Sequence, residues 1–240
     1  MRLDNVKVIS FSGIDGAGKS TQIDALQCHL RDLDLRWRLY TFWDNVVVFP
    51  GLREHMSFKA FRGDKGVGSP NQPITRRDKN VTSWYVTAIR LFFYLLDAYS
   101  LRVAVAGWQD TGVDFVIFDR YIYDELANLP LDNRLMRLYV RLLVSLIPRP
   151  DIAFVVDADP DAAYRRKPEY PLEFVRKNRD SYIALSRVVR GMTVLPPRSV
   201  EETTAKIKES VSRSLRSEVE PVDFQLPFPA SPGQSKTPGV

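Results

Sequence analysis

One cysteine and two histidines are all that the 240 residues offer for disulfide or soft-metal chemistry. Cys28 alone cannot close an intramolecular disulfide, which fits a reducing compartment. With only His29 and His55 besides, a His/Cys zinc site lacks ligands. Long apolar runs are missing as well. The longest uncharged one, LFFYLL at residues 91–96, is far short of the ~20 residues of a membrane span. The opening MRLDNVKVIS has no secretory-signal pattern. A cytoplasmic protein with no membrane partner is therefore expected. No internal repeat is found.

What is present is ordinary in amount and uneven in place. Hydrophobic residues make up 45% and charged residues 26%, as in soluble globular chains, and the length suits one α/β domain. The net charge is +5, from 34 basic and 29 acidic residues. Residues 165–190 hold eight Lys/Arg and three acids, a net of +5, so one segment matches the whole surplus. So local an excess points to a specific anionic ligand more than to general nucleic-acid affinity, and no nucleic-acid reading motif accompanies it. A solvated helix face is the plainer alternative.

Alternating patterns run down the chain. Residues 7–12 (KVISFS), 37–43 (WRLYTFW), 113–118 (VDFVIF), 152–156 (IAFVV) and 192–195 predict strands. Residues 19–34, 81–107, 131–147, 172–189 and 201–215 predict helices, and Asp159-Pro160 reads as an N-cap followed by proline at the first helical position. Residues 52–80 are polar, basic and Gly/Pro-rich, which predicts a mobile insertion. Residues 217–240 are Pro-rich and aperiodic, a tail expected to be disordered. Residues 1–216 would then form one domain: a three-layer α/β fold with a parallel sheet and helices on both faces. In such sheets ligands lie at the carboxyl ends of the strands, where Gly13, Asp119 and Asp157 should converge.

The first strand runs into FSGIDGAGKSTQ, which contains the full G-x-x-x-x-G-K-S pattern from Gly13 to Ser20. Glycines let successive N–H groups turn inward on an anion, and the helix that follows adds its positive end. Gly13, Gly16, Ala17, Gly18, Lys19, Ser20 and Thr21 are thus candidate ATP-binding residues. Lys19 is suited to the β and γ phosphates and the Ser20 hydroxyl to Mg²⁺. Asp119, at the tip of a buried strand, is a second Mg²⁺ candidate, with a helix cap or a structural partnership to Arg120 as its plainer role. Arg120 has the planar fork that suits a phosphate. One residue stands out: Asp15, an acid inside a loop built for anions. Trp84, Tyr85, Phe92, Phe93 and Tyr94 could stack on a base, but on a long apolar helix aromatics usually serve the core. Asp157 could approach a metal, and Cys28 reads as a small buried hydrophobe.

Four stretches together, FSGIDGAGKSTQ, VIFDRYIYD, PDIAFVVDADPDAAYRRK and FVRKNRDSYIAL, resemble the thymidylate kinase family in order and spacing over residues 5–215. The resemblance implies a P-loop nucleoside-monophosphate kinase that moves the γ-phosphoryl group of ATP, with Mg²⁺, onto a nucleotide 5′-phosphate, dTMP first. It implies that Asp15 turns toward the acceptor, that Arg120 binds the acceptor phosphate and that Tyr121 packs beside its sugar. It places a short mobile lid at residues 165–172. The phosphate loop carries no arginine of its own, so Arg165 and Arg166 are expected to supply the cation to the transferring phosphate. Relatives often form homodimers through long helices like 81–107.

Departures gather on the acceptor side. Arg53 stands in for the family's acceptor arginine but out of register. Ala98 replaces the arginine of an Asp-Arg pair, leaving Arg90 as a substitute. Ile122-Tyr123-Asp124-Glu125 replaces small polar residues. A same-fold kinase for another acceptor, a nucleoside or a small metabolite, therefore stays open, as does a non-catalytic nucleotide-binding module.

Overall fold

Five strands hydrogen-bond side by side in the order β2-β3-β1-β4-β5, and every pairing is parallel. A computed structural model describes residues 6–47, 84–107 and 112–219. The strands are β1 (Lys7–Ser12), β2 (Trp37–Thr41), β3 (Phe115–Asp119), β4 (Ile152–Val156) and β5 (Met192–Leu195). The helices are α1 (Lys19–Asp32), α2 (Phe42–Asn45), α3 (Trp84–Ala106), α4 (Ile122–Leu126), α5 (Arg134–Leu146), α6 (Pro160–Arg166), α7 (Leu172–Val188) and α8 (Val200–Val219). This is the expected three-layer α/β fold with an all-parallel sheet flanked by helices. Arg53, the insertion 52–80 and all of the tail beyond Val219 lie outside the described residues.

The central strands read as apolar runs because both their faces are covered. Phe115 to Phe118 are wholly buried, and Phe11 of β1 meets Phe154 of β4 with ring centroids 5.3 Å apart. Helices pack on this sheet in two groups. Alpha-1 lies on β1 and β3 and against α8, where Gln22 donates to the Val200 carbonyl (3.2 Å) and accepts from Thr204 (2.9 Å). Alpha-7 covers β4 and β5 and touches α4, α5 and α6. Such coverage is what a right-twisted parallel sheet needs to remove both faces from water.

Several boundaries differ from expectation for local reasons. Beta-2 stops at Thr41 because the Asn45 side chain takes the Thr41 N–H (2.9 Å) and bends Phe42 and Trp43 into α2. Alpha-1 ends early: Asp34 adopts φ +57°, and the Leu35 N–H returns to the Leu30 carbonyl (3.0 Å). Beta-3 starts two residues late, because Asp114 turns inward to accept the Arg36 N–H (2.8 Å). Asn133 caps α5 by accepting the Leu135 N–H (2.8 Å), which moves that helix start to Arg134. Alpha-8 continues to Val219, beyond the expected end at 215. Cys28, expected to be buried, is exposed: Ile23, Leu26 and Leu30 face the sheet, and residue 28 falls on the other side of the helix.

Candidate active site

Beta-1 and β3 are neighbours in register, with Phe11 opposite Asp119. The glycine-rich loop leaves β1 two residues later, so Lys19 and Asp119 share one edge of the sheet. They are close enough that the carboxylate acts on the charge of the lysine.

Two glycines fix the loop against its surroundings. Gly13 has φ +140°, and a Cβ there would stand 2.5 Å from the carbonyl oxygen of Val156, the last residue of β4. Gly16 has φ +78°, and its Cβ would stand 2.4 Å from the carbonyl oxygen of Ala163. The loop is therefore wedged between the tip of β4 and the body of α6. Gly18, in the left-handed region at φ +91°, opens α1. Lys19 is buried and curls back over the loop, donating to the carbonyls of Gly13 (2.8 Å) and Ile14 (2.9 Å). Burial and the nearby Arg120 cation pull its ammonium down to about 8, against the attraction of Asp124, Asp15 and Asp119.

Asp15 faces a cation, not the anion nest: it accepts a hydrogen bond from a terminal nitrogen of Arg120. Burial would raise its carboxyl, but Arg120, Lys19 and Lys167 outweigh that and hold it below the ordinary carboxylate value. Arg120 itself sits at φ +70°, an unusual conformation for a residue with a side chain. Its N–H continues the ladder to the Phe11 carbonyl (2.9 Å). Burial disfavours its charge, yet Asp124 and Asp15 together raise its affinity for the proton above the usual value.

Asp124 is the residue that sequence reasoning missed. Its carboxylate is buried at 5% exposure and accepts from the Ser12 hydroxyl (2.7 Å), the Tyr182 hydroxyl (2.7 Å) and the Tyr121 N–H (3.1 Å). One oxygen also lies 3.6 Å from Arg120. The available signal was an acid four residues after Arg120, at the third position of a helix turn, where a carboxylate reaches back to the N-cap N–H.

Other expectations change. Tyr121 does not stand beside an open pocket: it is wholly buried, its ring packed near Phe42, Phe118 and Tyr123 and its hydroxyl donated to the Pro148 carbonyl (2.5 Å). Asp157 does not wait for a metal, because Arg179 grips it with two hydrogen bonds of 2.6 and 2.7 Å. Asp159 caps α6 through the Ala162 N–H (2.8 Å), as the Asp-Pro pattern predicts. Asp97 and Ala98 are both buried. Arg90 is half-buried on α3, one turn before Tyr94, whose hydroxyl donates to Glu125 of α4 (3.0 Å).

The basic stretch divides. Arg176 pairs with Asp161, Arg179 with Asp157 and Lys167 with Glu169. Arg165 and Arg166 are exposed in the last turn of α6, just beyond the Ala163 that touches Gly16, and neither forms an ion pair with a described residue.

The residues present fit a magnesium ion carried with a polyphosphate. Asp119 Oδ1 is buried and has no hydrogen-bond partner, an orphan acceptor suited to a cation or its bound water. Ser20 stands exposed at the start of α1. Among the described residues no group of three His, Cys, Asp or Glu could form a cage of its own.

Comparison with known proteins gives a partial match. Over 109 residues the chain is 32% identical to a protein of Pyrobaculum aerophilum described as a probable thymidylate kinase. The chain is similar to a thymidylate kinase. The aligned stretch makes up 42% of this chain and 56% of that protein, so it spans little more than half of the relative's length. No family model matches.

Proposed function

We propose that the chain is a nucleoside-monophosphate kinase, passing the γ-phosphoryl group of ATP to a nucleotide 5′-phosphate, with dTMP as the first acceptor to test. The observation that carries this is the Asp15–Arg120 pair. It sets a guanidinium beside the phosphate loop, on the strand end next to Lys19 and Asp119. A loop that only held a triphosphate would have no use for an acid turned to a second cation. A site that must align two phosphorylated molecules does.

In the transfer, the bond between the γ-phosphorus and the ADP oxygen breaks while one forms to an oxygen of the acceptor phosphate. Charge spreads over the moving group, so the protein's work is positioning and neutralisation. The loop N–H groups and Lys19 hold the donor phosphates, and Arg120, steadied by Asp15, holds the acceptor phosphate. Ser20 and Asp119 would hold Mg²⁺, which screens the phosphate oxygens when bound. Arg165 and Arg166 lead the lid at residues 165–172 and reach the transferring group from α6. The close approach of Gly16 to the Ala163 carbonyl, which sets the loop against the helix that carries both arginines, supports this reading.

A coupled assay of ADP release, run over nucleoside monophosphates, nucleosides and no acceptor, tests the proposal. ADP release that requires a monophosphate is the expected result. ATP binding with no acceptor-dependent ADP would leave the non-catalytic module standing. Turnover with a nucleoside or another metabolite would establish the other-acceptor alternative, which the burial of Tyr121, Asp97 and Ala98 favours.

The partner expected besides the acceptor is a second copy. Among the described residues, nine of the thirteen exposed large apolar side chains lie on α3 and α5, including Phe92, Tyr99, Val103, Leu135, Leu138 and Leu142. The two helices pack side by side, with the Tyr139 hydroxyl on the Leu91 carbonyl (2.6 Å). An apolar field spread over two adjacent helices is the kind of surface that a second copy covers, and a stable interface takes ~800 Å² per partner. Light scattering should give twice the chain mass of 27.5 kDa, reverting to one with Leu138→Glu and Leu142→Glu.

A further inference from the structure

The buried carboxylate of Asp124 has a fixed and a responsive side. Its Oδ2 accepts from the Tyr121 backbone N–H (3.1 Å), a donor that cannot rotate, and from the Ser12 hydroxyl (2.7 Å). Its Oδ1 accepts from the Tyr182 hydroxyl (2.7 Å) and lies 3.6 Å from Nη1 of Arg120. Asp15 meanwhile holds the other terminal nitrogen, Nη2. The guanidinium is thus gripped at both terminal nitrogens by carboxylates from different elements. One of its five N–H groups is hydrogen-bonded to Asp15 and another faces the Asp124 carboxylate at ion-pair distance, which leaves three for an anion.

We propose that Asp124 is a positioning residue for anion recognition: anchored to β1 through Ser12 and to α7 through Tyr182, it fixes the direction in which Arg120 presents its guanidinium. This rests on Arg120 being the residue that meets the acceptor phosphate. Three observations support it. Arg120 is held at φ +70°, a conformation that its own backbone does not favour. The carboxylate is buried at 5% exposure and surrounded by donors, as an acceptor-only group requires. Its anchors come from the strand before the phosphate loop and from the helix after the lid, so the acceptor arginine is tied to both ends of the donor site.

The geometry dictates the informative substitution. In Asp124→Asn the fixed Tyr121 N–H selects the amide oxygen for the Oδ2 place, which turns the amide NH₂ toward Arg120 and sets donor against donor. Volume and the anchors at Tyr121 and Ser12 are retained, the Tyr182 hydroxyl must turn round to accept from the amide, and the grip on Arg120 is lost. The expected kinetic result is a rise of at least tenfold in KM for the monophosphate, with KM for ATP unchanged within twofold. Tyr182→Phe, which keeps the charge and removes one anchor, should shift the acceptor KM the same way by about threefold.

A second readout needs no turnover. The Arg120 guanidinium should give a protected, slowly rotating ¹⁵N signal in the wild-type chain and lose it in Asp124→Asn, with far-UV circular dichroism unchanged. Retention of that signal in Asp124→Asn would overturn the proposal. So would an unchanged signal in Tyr182→Phe, should the asparagine variant fail to fold, or equal rises in the two KM values. If the wild-type chain phosphorylates no monophosphate, the functional proposal fails by itself, and the guanidinium signal still decides the role of Asp124.

Discussion

Replacing Gly16 and Gly18 separately by alanine isolates the contact between the glycine-rich loop and α6. Both glycines lie in the left-handed region, at φ +78° and +91°. There an L-residue costs about 1–2 kcal/mol, so both variants carry that penalty. They differ in space. At Gly16 the new Cβ would meet the Ala163 carbonyl oxygen at 2.4 Å and its carbon at 3.0 Å, whereas at Gly18 nothing lies within 4 Å. Both obstructing atoms are backbone, so no side-chain rotation relieves the clash and α6 must move. Overpacking of this kind adds about 1–3 kcal/mol. Gly18→Ala should therefore lose about 1–2 kcal/mol in urea unfolding, and Gly16→Ala about 2–5 kcal/mol. At about 2–4 °C per kcal/mol for a domain of this size, the two melting temperatures should be separated by several degrees. Because Arg165 and Arg166 ride on α6, Gly16→Ala should also lose more turnover. Equal destabilisation, within about 0.5 kcal/mol, would refute the wedge between loop and helix.

Arg165→Ala with Arg166→Ala should lower turnover at least 100-fold, since arginines that neutralise a moving phosphoryl group are worth about 10³–10⁵, while thermal unfolding stays unchanged; full turnover would remove the lid from the account. Tyr121→Phe leaves the Pro148 carbonyl without its donor and should cost about 1–2 kcal/mol of stability. Its acceptor KM should stay within twofold, because the ring belongs to the core; a large KM change would restore it to the site. Arg179→Ala strands Asp157, which is only 7% exposed. A loss of about 1–3 kcal/mol is expected, discounted because Arg179 is one-third exposed. No loss in chemical denaturation would show that this pair contributes nothing.

How much of this was legible in the sequence depends on how local the determinant is. Beta-1, β4 and β5 were read to the residue, because each is an apolar run bounded by its own turn residues. The Asp159 cap and Pro160 were equally plain, being two adjacent residues with one physical job. Short helices α2 and α4 were not, since four or five residues carry no periodicity and are set by single side chains, Asn45 and Asp124. The same division runs through the site. The glycine-rich loop is contiguous, and its place between a strand and a helix was legible. The Asp15–Arg120 pair joins residues 105 apart and was expected only as a carboxylate turned to the acceptor side. Asp124 and Tyr182, 58 residues apart, meet only once the sheet has formed. Tyr121 misled because a position next to the site arginine does not reveal which way the ring points. The backbone turn at Arg120 sends it into the core.

Phosphoryl transfer by the purified chain bears most directly on the whole account. With ATP, Mg²⁺ and dTMP, ADP should form in step with a nucleoside diphosphate, and Lys19→Met should abolish both. A chain that binds ATP tightly yet passes no phosphate to any nucleoside monophosphate would contradict it.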